Sequence, residues 1–397
     1  MHLPPPIPGA PAVPASGSHR PGVSDGPGLT LVDPAGLTAA LARALAGEAV
    51  VAPLPAEGRA RWLAALEPQR PAGVEAGVVV ATSGSTGAPK FVVLAADAVL
   101  TSAAATHERL GGPGDWVCLL PTHHVAGLMT VARAVAAGTS VRFGQGDLSD
   151  LPEPSERCYL SLVGAQLWRA LAEPELMARL GRYAAVLLGG SAIDPGLLAR
   201  ARDGGIAVVT TYGMAETCGG CVYDGRPLRD VELGFDATGR ISITAPLVFS
   251  GYRNDPAGTA AVLSGNTVLT RDRGRLAADG SLEVTGRIDD VVVSGGVNVD
   301  LAEAQRISDA LVGAPEAGGV VLFAVDDERW GARVVAVTTG PLDLAQVTGV
   351  LGTRLGSAAL PRELRRVARL AYTPSGKIDR IALQRDWQQG GSDGDAG

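Results

Sequence analysis

The sequence predicts an α/β protein: a large layered N-terminal domain with mostly parallel sheets, followed by a small α+β domain. Three observations predict it. Between Ala49 and Thr210, short apolar runs alternate with segments of helical spacing, the pattern of strands joined by crossover helices. From Gly239 onward the texture changes to short β segments punctuated by Gly and Asp. Near Asp289 that texture gives way to a compact helix–strand–strand–helix unit. The 397 residues leave ample chain for two or three domains.

The first 28 residues are rich in Pro, Gly and Ser and lack the apolar stretch of a signal peptide, so they read as a disordered leader. The N-terminal domain is expected over 29–288. Leu37, Leu41 and Leu45 stand at helical spacing within Ala35–Ala46, and Ala49–Leu54 reads as a strand. Val78–Ala81 is a buried strand. Ala95–Leu110 is a helix, Trp116–Leu120 a strand, Val125–Ala136 a helix, and Tyr159–Leu162 a strand leading into a helix around Gly164–Leu171. Strands Ala184–Leu188 and Ile206–Thr210 flank the helix Pro195–Arg202. Arg240–Thr244, Thr267–Leu269, Ser281–Thr285 and Val291–Val293 are the short β segments. The second domain is expected over 289–387. There Asp300 caps a helix over Leu301–Val312, Gly319–Val325 and Val334–Thr338 are strands, and Leu342–Leu355 is helical. The tail 388–397 reads as disordered.

Composition excludes several classes. The formal net charge is −7 with no basic stripe, and aromatics make up only 4% of residues, which argues against nucleic acid. No apolar run reaches transmembrane length. Without an export signal the default location is the cytoplasm. Of the four cysteines, Cys218 and Cys221 have zinc-knuckle or redox spacing, but no second pair completes a zinc site. They read as small residues that follow the Glu216 loop and line a pocket.

Residues 82–90, Thr-Ser-Gly-Ser-Thr-Gly-Ala-Pro-Lys, end the Val78–Ala81 strand. Thr82, Ser83, Ser85 and Thr86 offer hydroxyls, Gly84 and Gly87 let backbone amides turn toward one point, and Lys90 adds a positive charge. That set suits a polyphosphate. It is not the Walker pattern, because Pro89 precedes the lysine and Phe91 follows it. Taken alone, a Gly/Ser-rich surface turn would explain it as well.

The loop is accompanied by three further segments: Thr211-Tyr212-Gly213-Met214-Ala215-Glu216-Thr217, Gly286-Arg287-Ile288-Asp289-Asp290 and Pro374-Ser375-Gly376-Lys377-Ile378-Asp379-Arg380. Their order and spacing resemble the adenylate-forming superfamily of acyl-CoA synthetases, peptide-synthetase adenylation domains and luciferases. The resemblance covers residues 77 to 380. It implies that the small C-terminal domain is mobile, with the active site between the domains and Asp289 at the hinge. It also implies ATP, Mg²⁺ and a thiol such as CoA as co-substrates of a small-molecule carboxylic acid.

On that resemblance, Thr82 to Lys90 is the phosphate loop and Glu216 the Mg²⁺ carboxylate, a hard ligand suited to a hard cation. Tyr212 stacks on adenine, Gly213 beside it borders both nucleotide and acid, and Thr217 is the hydroxyl near the α-phosphate. Asp272 and Arg287 hold the ribose; a carboxylate is a natural acceptor for a diol. Lys377 bridges the attacking carboxylate and the α-phosphate, where negative charge gathers. The chain departs from the pattern at Ala215, where a threonine is usual, and at Phe91 and Arg271, where glycines are usual.

Leu110–Trp116, Pro121–Leu128, Ser161–Leu167 and Gly219–Gly225 further resemble the actinobacterial o-succinylbenzoate–CoA ligases. This narrower resemblance implies that His124 gates the acyl pocket while His123 faces elsewhere, and that Gly189, Gly190 and Ser191 form a wall beside the aryl group. We also expect Gln166 to donate to the substrate's ring carboxylate. Alternatives from sequence are a ligase for another acid, an enzyme loading a carrier-protein thiol, and a catalytically silent nucleotide binder. A homo-oligomer is compatible with all of them.

Overall fold

The computed structural model describes residues 29–55, 59–70, 76–82, 90–373 and 378–389. The expected leader, Ser83 to Pro89, residues 374–377 including Lys377, and the tail from 390 lie outside the described residues.

Four sheets organise the described residues. In the first, Leu29–Val32, Val50–Pro53 and Ala76–Thr82 run parallel, and Lys90–Ala95 and Gly251–Tyr252 then add antiparallel. The second has seven strands in the order Arg226–Pro227, Gly219–Tyr223, Val208–Met214, Ala185–Gly189, Cys158–Val163, Asp115–Cys118, Val141–Phe143. The last five are parallel, and the near-continuous apolar runs of the three central ones, Asp115–Cys118, Cys158–Val163 and Ala185–Gly189, reflect burial on both faces. The third sheet, built from Glu232–Phe235, Arg240–Thr244, Leu263–Ser264, Thr267–Leu276 and Leu282–Arg287, is antiparallel. The N-terminal sheets are therefore mixed, with parallel pairing dominant around the site.

The helix Val125–Ala137 buries Leu128, Met129, Val131, Ala132 and Ala134. It stops at Gly138, whose φ of 66° is a left-handed end that glycine adopts without strain. On Leu37–Leu45 the buried residues are Leu37, Leu41 and Ala44, and Leu45 packs partly buried against the same core, as its helical spacing predicts.

The fourth sheet lies beyond residue 290 and comprises Val291–Ser294, Val297–Asp300, Val320–Asp327, Gly331–Thr338 and Leu364–Arg366. Asp300 caps the helix Leu301–Val312 by accepting from the Ala302 and Glu303 amides at 3.0 and 3.1 Å. Gln305 then ties that helix to the sheet, donating to the Val320 carbonyl and accepting from the Leu322 amide. The closing helix Arg380–Gln389 buries Leu383 and Trp387, with Trp387 edge-on to Phe323. It extends two residues into the stretch expected to be disordered, because Trp387 anchors it.

Every buried apolar cluster is built either wholly from residues up to Leu282 or wholly from Val292 onward. Between the two groups run polar links such as the Arg273–Asp300 ion pair. No helix among the described residues is long and apolar enough to cross a membrane.

Candidate active site

The two ends of the expected phosphate loop lie on neighbouring strands of the first sheet. Thr82 and Lys90 face each other as paired residues of antiparallel strands, so both loop ends are fixed by the sheet. The Lys90 ammonium lies 5.3 Å from the centre of the Tyr252 ring. The Tyr252 hydroxyl donates to Glu216 Oε1 at 2.7 Å. Burial, and after it the Glu216 charge, push the Tyr252 pKa well above the ordinary value, which keeps the phenol a donor.

Glu216 sits in the one-turn segment Ala215–Thr217 that joins strands Val208–Met214 and Gly219–Tyr223. Its carbonyl accepts from the Phe249 amide at 2.9 Å. Thr217 corrects an expectation. It is fully buried, and its hydroxyl bonds the Met214 and Gly219 carbonyls and the Met214 amide. It closes the turn that presents Glu216 and has no face toward a nucleotide. Gly213 packs so closely on the neighbouring strand that a Cβ would strike the Gly219 carbonyl.

A second group gathers where Tyr212, on the strand before Glu216, meets two strands of the third sheet. The Tyr212 hydroxyl donates to Asp272 Oδ2 at 2.9 Å, and Arg287 Nη1 donates to Asp272 Oδ1 at 2.8 Å. Burial and the Asp272 charge hold the Tyr212 pKa far above its ordinary value. Burial opposes the Arg287 charge, yet the Asp272 and Asp289 carboxylates outweigh it and raise its pKa. Asp289 Oδ2 accepts from both Arg271, at 3.1 Å, and Arg287, at 3.2 Å. Arg271, where glycine was expected, thus becomes a partner of the expected hinge residue.

His124 precedes the helix Val125–Ala137 and bridges to Ala81, at the end of the strand feeding the loop. His123 does not face elsewhere. Its ring lies 4.4 Å from that of His124, and both meet Trp62 edge-on at 5.2 and 6.1 Å. Burial, then the neighbouring His124, push the His123 pKa down to about 4.

Gly189 and Gly190 end a parallel strand. A Cβ on Gly189 would strike Thr211 Oγ1, and Gly190 has a φ of 90°. Ser191 is exposed beside them. Gln166 is largely committed within the fold: its Oε1 accepts from the Val163 amide at 3.0 Å and its Nε2 donates to the Gly146 carbonyl at 2.8 Å. One amide proton remains for a ligand. Gln166 also lines a cavity of about 1200 Å³, whose walls include Pro121, Thr122 and Arg169 and, from beyond residue 290, Glu316 and Tyr372. Glu216, Tyr212, Asp272 and His124 lie outside it, so chemistry rather than volume marks the site.

Cys218 and Cys221 are fully buried in the apolar core rather than lining a pocket, and burial pushes the Cys221 thiol up to about 12. Among the described residues no group of three or more His, Cys, Asp or Glu is arranged to hold a metal ion. A lone carboxylate such as Glu216 fits a Mg²⁺ ion that takes its other ligands from phosphates and water.

Sequence reasoning missed Tyr252 and Trp62, which between them touch three of the expected residues, Lys90, Glu216 and His124. The available signal for Tyr252 was local. Asp255 caps the helix Pro256–Ala260, and the edge strand Gly251–Tyr252 ends three residues before that cap.

The family model for AMP-binding enzymes matches residues 36–252, more than half of the chain. The chain belongs to the AMP-binding, adenylate-forming enzymes. Its sequence is 40% identical over 324 residues to a probable 2-succinylbenzoate–CoA ligase of Mycobacterium tuberculosis, covering 78% of this chain and 84% of the relative. In fold this AMP-binding enzyme resembles the o-succinylbenzoate coenzyme A synthetase of Bacillus subtilis in complex with its acyl-adenylate. The TM-score there is 0.75 at 23% identity, covering 91% of this chain and 88% of that one. The same Bacillus enzyme with ATP and magnesium ion superimposes with a TM-score of 0.65 at 25% identity, covering 79% and 70%.

Proposed function

We propose that this AMP-binding enzyme is an o-succinylbenzoate–CoA ligase that acts through an acyl-adenylate. The observation that carries the nucleotide chemistry is the assembly of two groups from distant segments. One is Lys90, Tyr252 and Glu216; the other is Tyr212, Asp272 and Arg287. The first presents a cation and a carboxylate beside the loop, as a magnesium-bound triphosphate requires. The second presents a diol acceptor beside an aromatic ring. The choice of acid rests on the extended identity with the mycobacterial ligase.

In the first step an oxygen of the succinyl carboxylate bonds to the α-phosphorus of ATP, and the bond to the β-phosphate bridge breaks, releasing pyrophosphate. Thr82 to Gly87 and Lys90 hold the phosphates, Tyr212 takes the adenine, and Asp272 and Arg287 hold the ribose. Lys377 screens the repulsion between carboxylate and phosphate. When bound, Mg²⁺ is held by Glu216 and neutralises phosphate charge. In the second step the CoA thiol, giving its proton to solvent, bonds to the acyl carbon and AMP departs.

In this reading His124 gates the acyl group, and Gly189, Gly190, Ser191 and Gln166 contact it. Residues 29–288 and 289–387 act as two domains, and rotation about Asp289 withdraws Lys377 between the steps. The separate apolar cores on either side of that point support the division.

The test is direct. The protein is incubated with ATP, Mg²⁺, CoA and o-succinylbenzoate, and products are identified by mass. The CoA thioester together with AMP and pyrophosphate is expected. Pyrophosphate release without a CoA ester, with transfer to a carrier-protein thiol instead, would replace CoA as acceptor. No pyrophosphate release with any of a panel of acids would end the proposal.

A further inference from the structure

We propose that Tyr252 is a positioning residue for the metal carboxylate, with its phenol fixing Glu216 and its ring seating Lys90. This rests on Glu216 being the carboxylate that holds Mg²⁺.

The segment Phe249–Arg253 is fastened on every side. The Phe249 amide donates to the Glu216 carbonyl, the Ser250 amide to Val93, and the Arg253 amide to Phe91. Gly251 and Tyr252 pair with Val93 and Val92 on the strand that begins at Lys90. The Tyr252 amide donates to Thr259 Oγ1 at 2.8 Å, and its ring packs on Phe249 at 5.0 Å. The Arg253 guanidinium reaches the Leu66, Glu67 and Arg70 carbonyls at 2.7, 2.8 and 2.7 Å, anchoring the end of the helix that carries Trp62. Tyr252 is thus held by its own backbone, its neighbours and the sheet before any ligand arrives.

From that fixed seat the phenol donates to Glu216 Oε1 at 2.7 Å. No described residue donates to Oε2. A carboxylate with one oxygen held by a protonated phenol cannot rotate freely, so the other oxygen is presented in one direction. Partners of this kind orient metal ligands and commonly change metal affinity about tenfold or more when removed. The ring has a separate role, because the Lys90 ammonium lies over it. One side chain therefore aligns the two opposite charges that a magnesium-bound triphosphate meets.

The two roles separate by substitution. Tyr252→Phe keeps the ring and removes only the hydroxyl. Tyr252→Leu removes both. ATP binding is measured by calorimetry on the full chain, with Mg²⁺ and with the metal chelated, and the Mg²⁺ dependence of ATP–pyrophosphate exchange is followed alongside. In Tyr252→Phe, ATP affinity in the presence of Mg²⁺ is expected to fall about tenfold and half-saturating Mg²⁺ to rise by a similar factor. Metal-free ATP affinity is expected to stay unchanged. In Tyr252→Leu, metal-free affinity falls as well.

A Tyr252→Phe protein whose affinities with and without Mg²⁺ match the parent, or fall equally, overturns the proposal. A parent protein whose ATP binding ignores Mg²⁺ overturns the assignment of Glu216 itself. If Tyr252→Leu does not fold, the Phe variant alone decides the hydroxyl's role.

Discussion

Arg287 and Asp272 face each other as paired residues of adjacent antiparallel strands, and Arg287 Nη1 donates to Asp272 Oδ1 at 2.8 Å. With Tyr212 on the other oxygen, the carboxylate is oriented before any nucleotide binds. Asp272→Asn removes the charge and one acceptor while keeping the shape. A hydrogen bond to a charged group contributes about 1.5–3 kcal/mol, so kcat/KM for ATP should drop roughly ten- to a hundredfold. The loss should appear mainly in the KM for ATP, with the KM for the acid little changed. Steady-state kinetics with ATP varied and then with acid varied check this.

Lys377→Ala should slow adenylation by orders of magnitude, because a contact made to charge in the transition state is often worth about 3–4 kcal/mol. Thioester formation from supplied acyl-adenylate should largely survive. Equal loss in both half-reactions would contradict the role assigned to this lysine.

Asp289 joins Arg271 and Arg287 within the short turn Ile288–Asp290, between the two sets of apolar cores. Proline there fixes φ near −65° and restricts Ile288 as well. Asp289→Pro should leave ATP–pyrophosphate exchange nearly intact and block thioester formation, even at saturating CoA. Asp289→Ala loses only exposed or half-exposed ion pairs and should be much milder. Thermal melts of both variants separate a locked protein from an unfolded one. A folded Asp289→Pro that makes thioester at the normal rate would place the pivot elsewhere.

Two histidines give the fold a pH signature. His107 Nε2 accepts from Trp116 Nε1 at 3.1 Å, and burial, then Arg133, push its pKa down to about 4. His123 is lowered to about 4 by burial and His124. Both would titrate at the ordinary 6.5 when unfolded. Between those values the unfolded chain binds more protons, so stability is complete above the upper value and falls as pH drops toward the lower one. Melting temperatures should decline across that window. His107→Gln, which still offers Trp116 an acceptor, should give a flatter curve, and an unchanged slope would contradict the assignment.

Much of this architecture was legible in sequence, for identifiable reasons. The central parallel strands of the seven-stranded sheet are short apolar runs because both faces are covered. Asp300 announces its helix because a carboxylate before an apolar-periodic segment satisfies the first free amides. The strand Lys90–Ala95 escaped because the loop before it drew attention to phosphate chemistry rather than to the strand that follows.

In the site, Glu216, Tyr212, Asp272 and Arg287 stood in recognisable segments, yet nothing in sequence joins Tyr252 to Glu216. That link depends on a two-residue edge strand packing on one 160 positions earlier in the chain, at Val92. Thr217 misled for a related reason. A hydroxyl beside an expected ligand carboxylate serves a ligand or its own turn equally well, and only burial distinguishes the two.

The most direct test of the central claim is the ratio of kcat/KM for o-succinylbenzoate to that for the same ketoacid lacking its ring carboxylate, with ATP and CoA saturating. A pocket built to pair that carboxylate leaves its buried donors unpaired when the group is missing, so a ratio of roughly a hundredfold or more is expected. Benzoate and medium-chain fatty acids should be poorer still. Comparable kcat/KM for the truncated ketoacid, for benzoate or for a fatty acid would contradict the account and leave only an AMP-binding enzyme for some other acid.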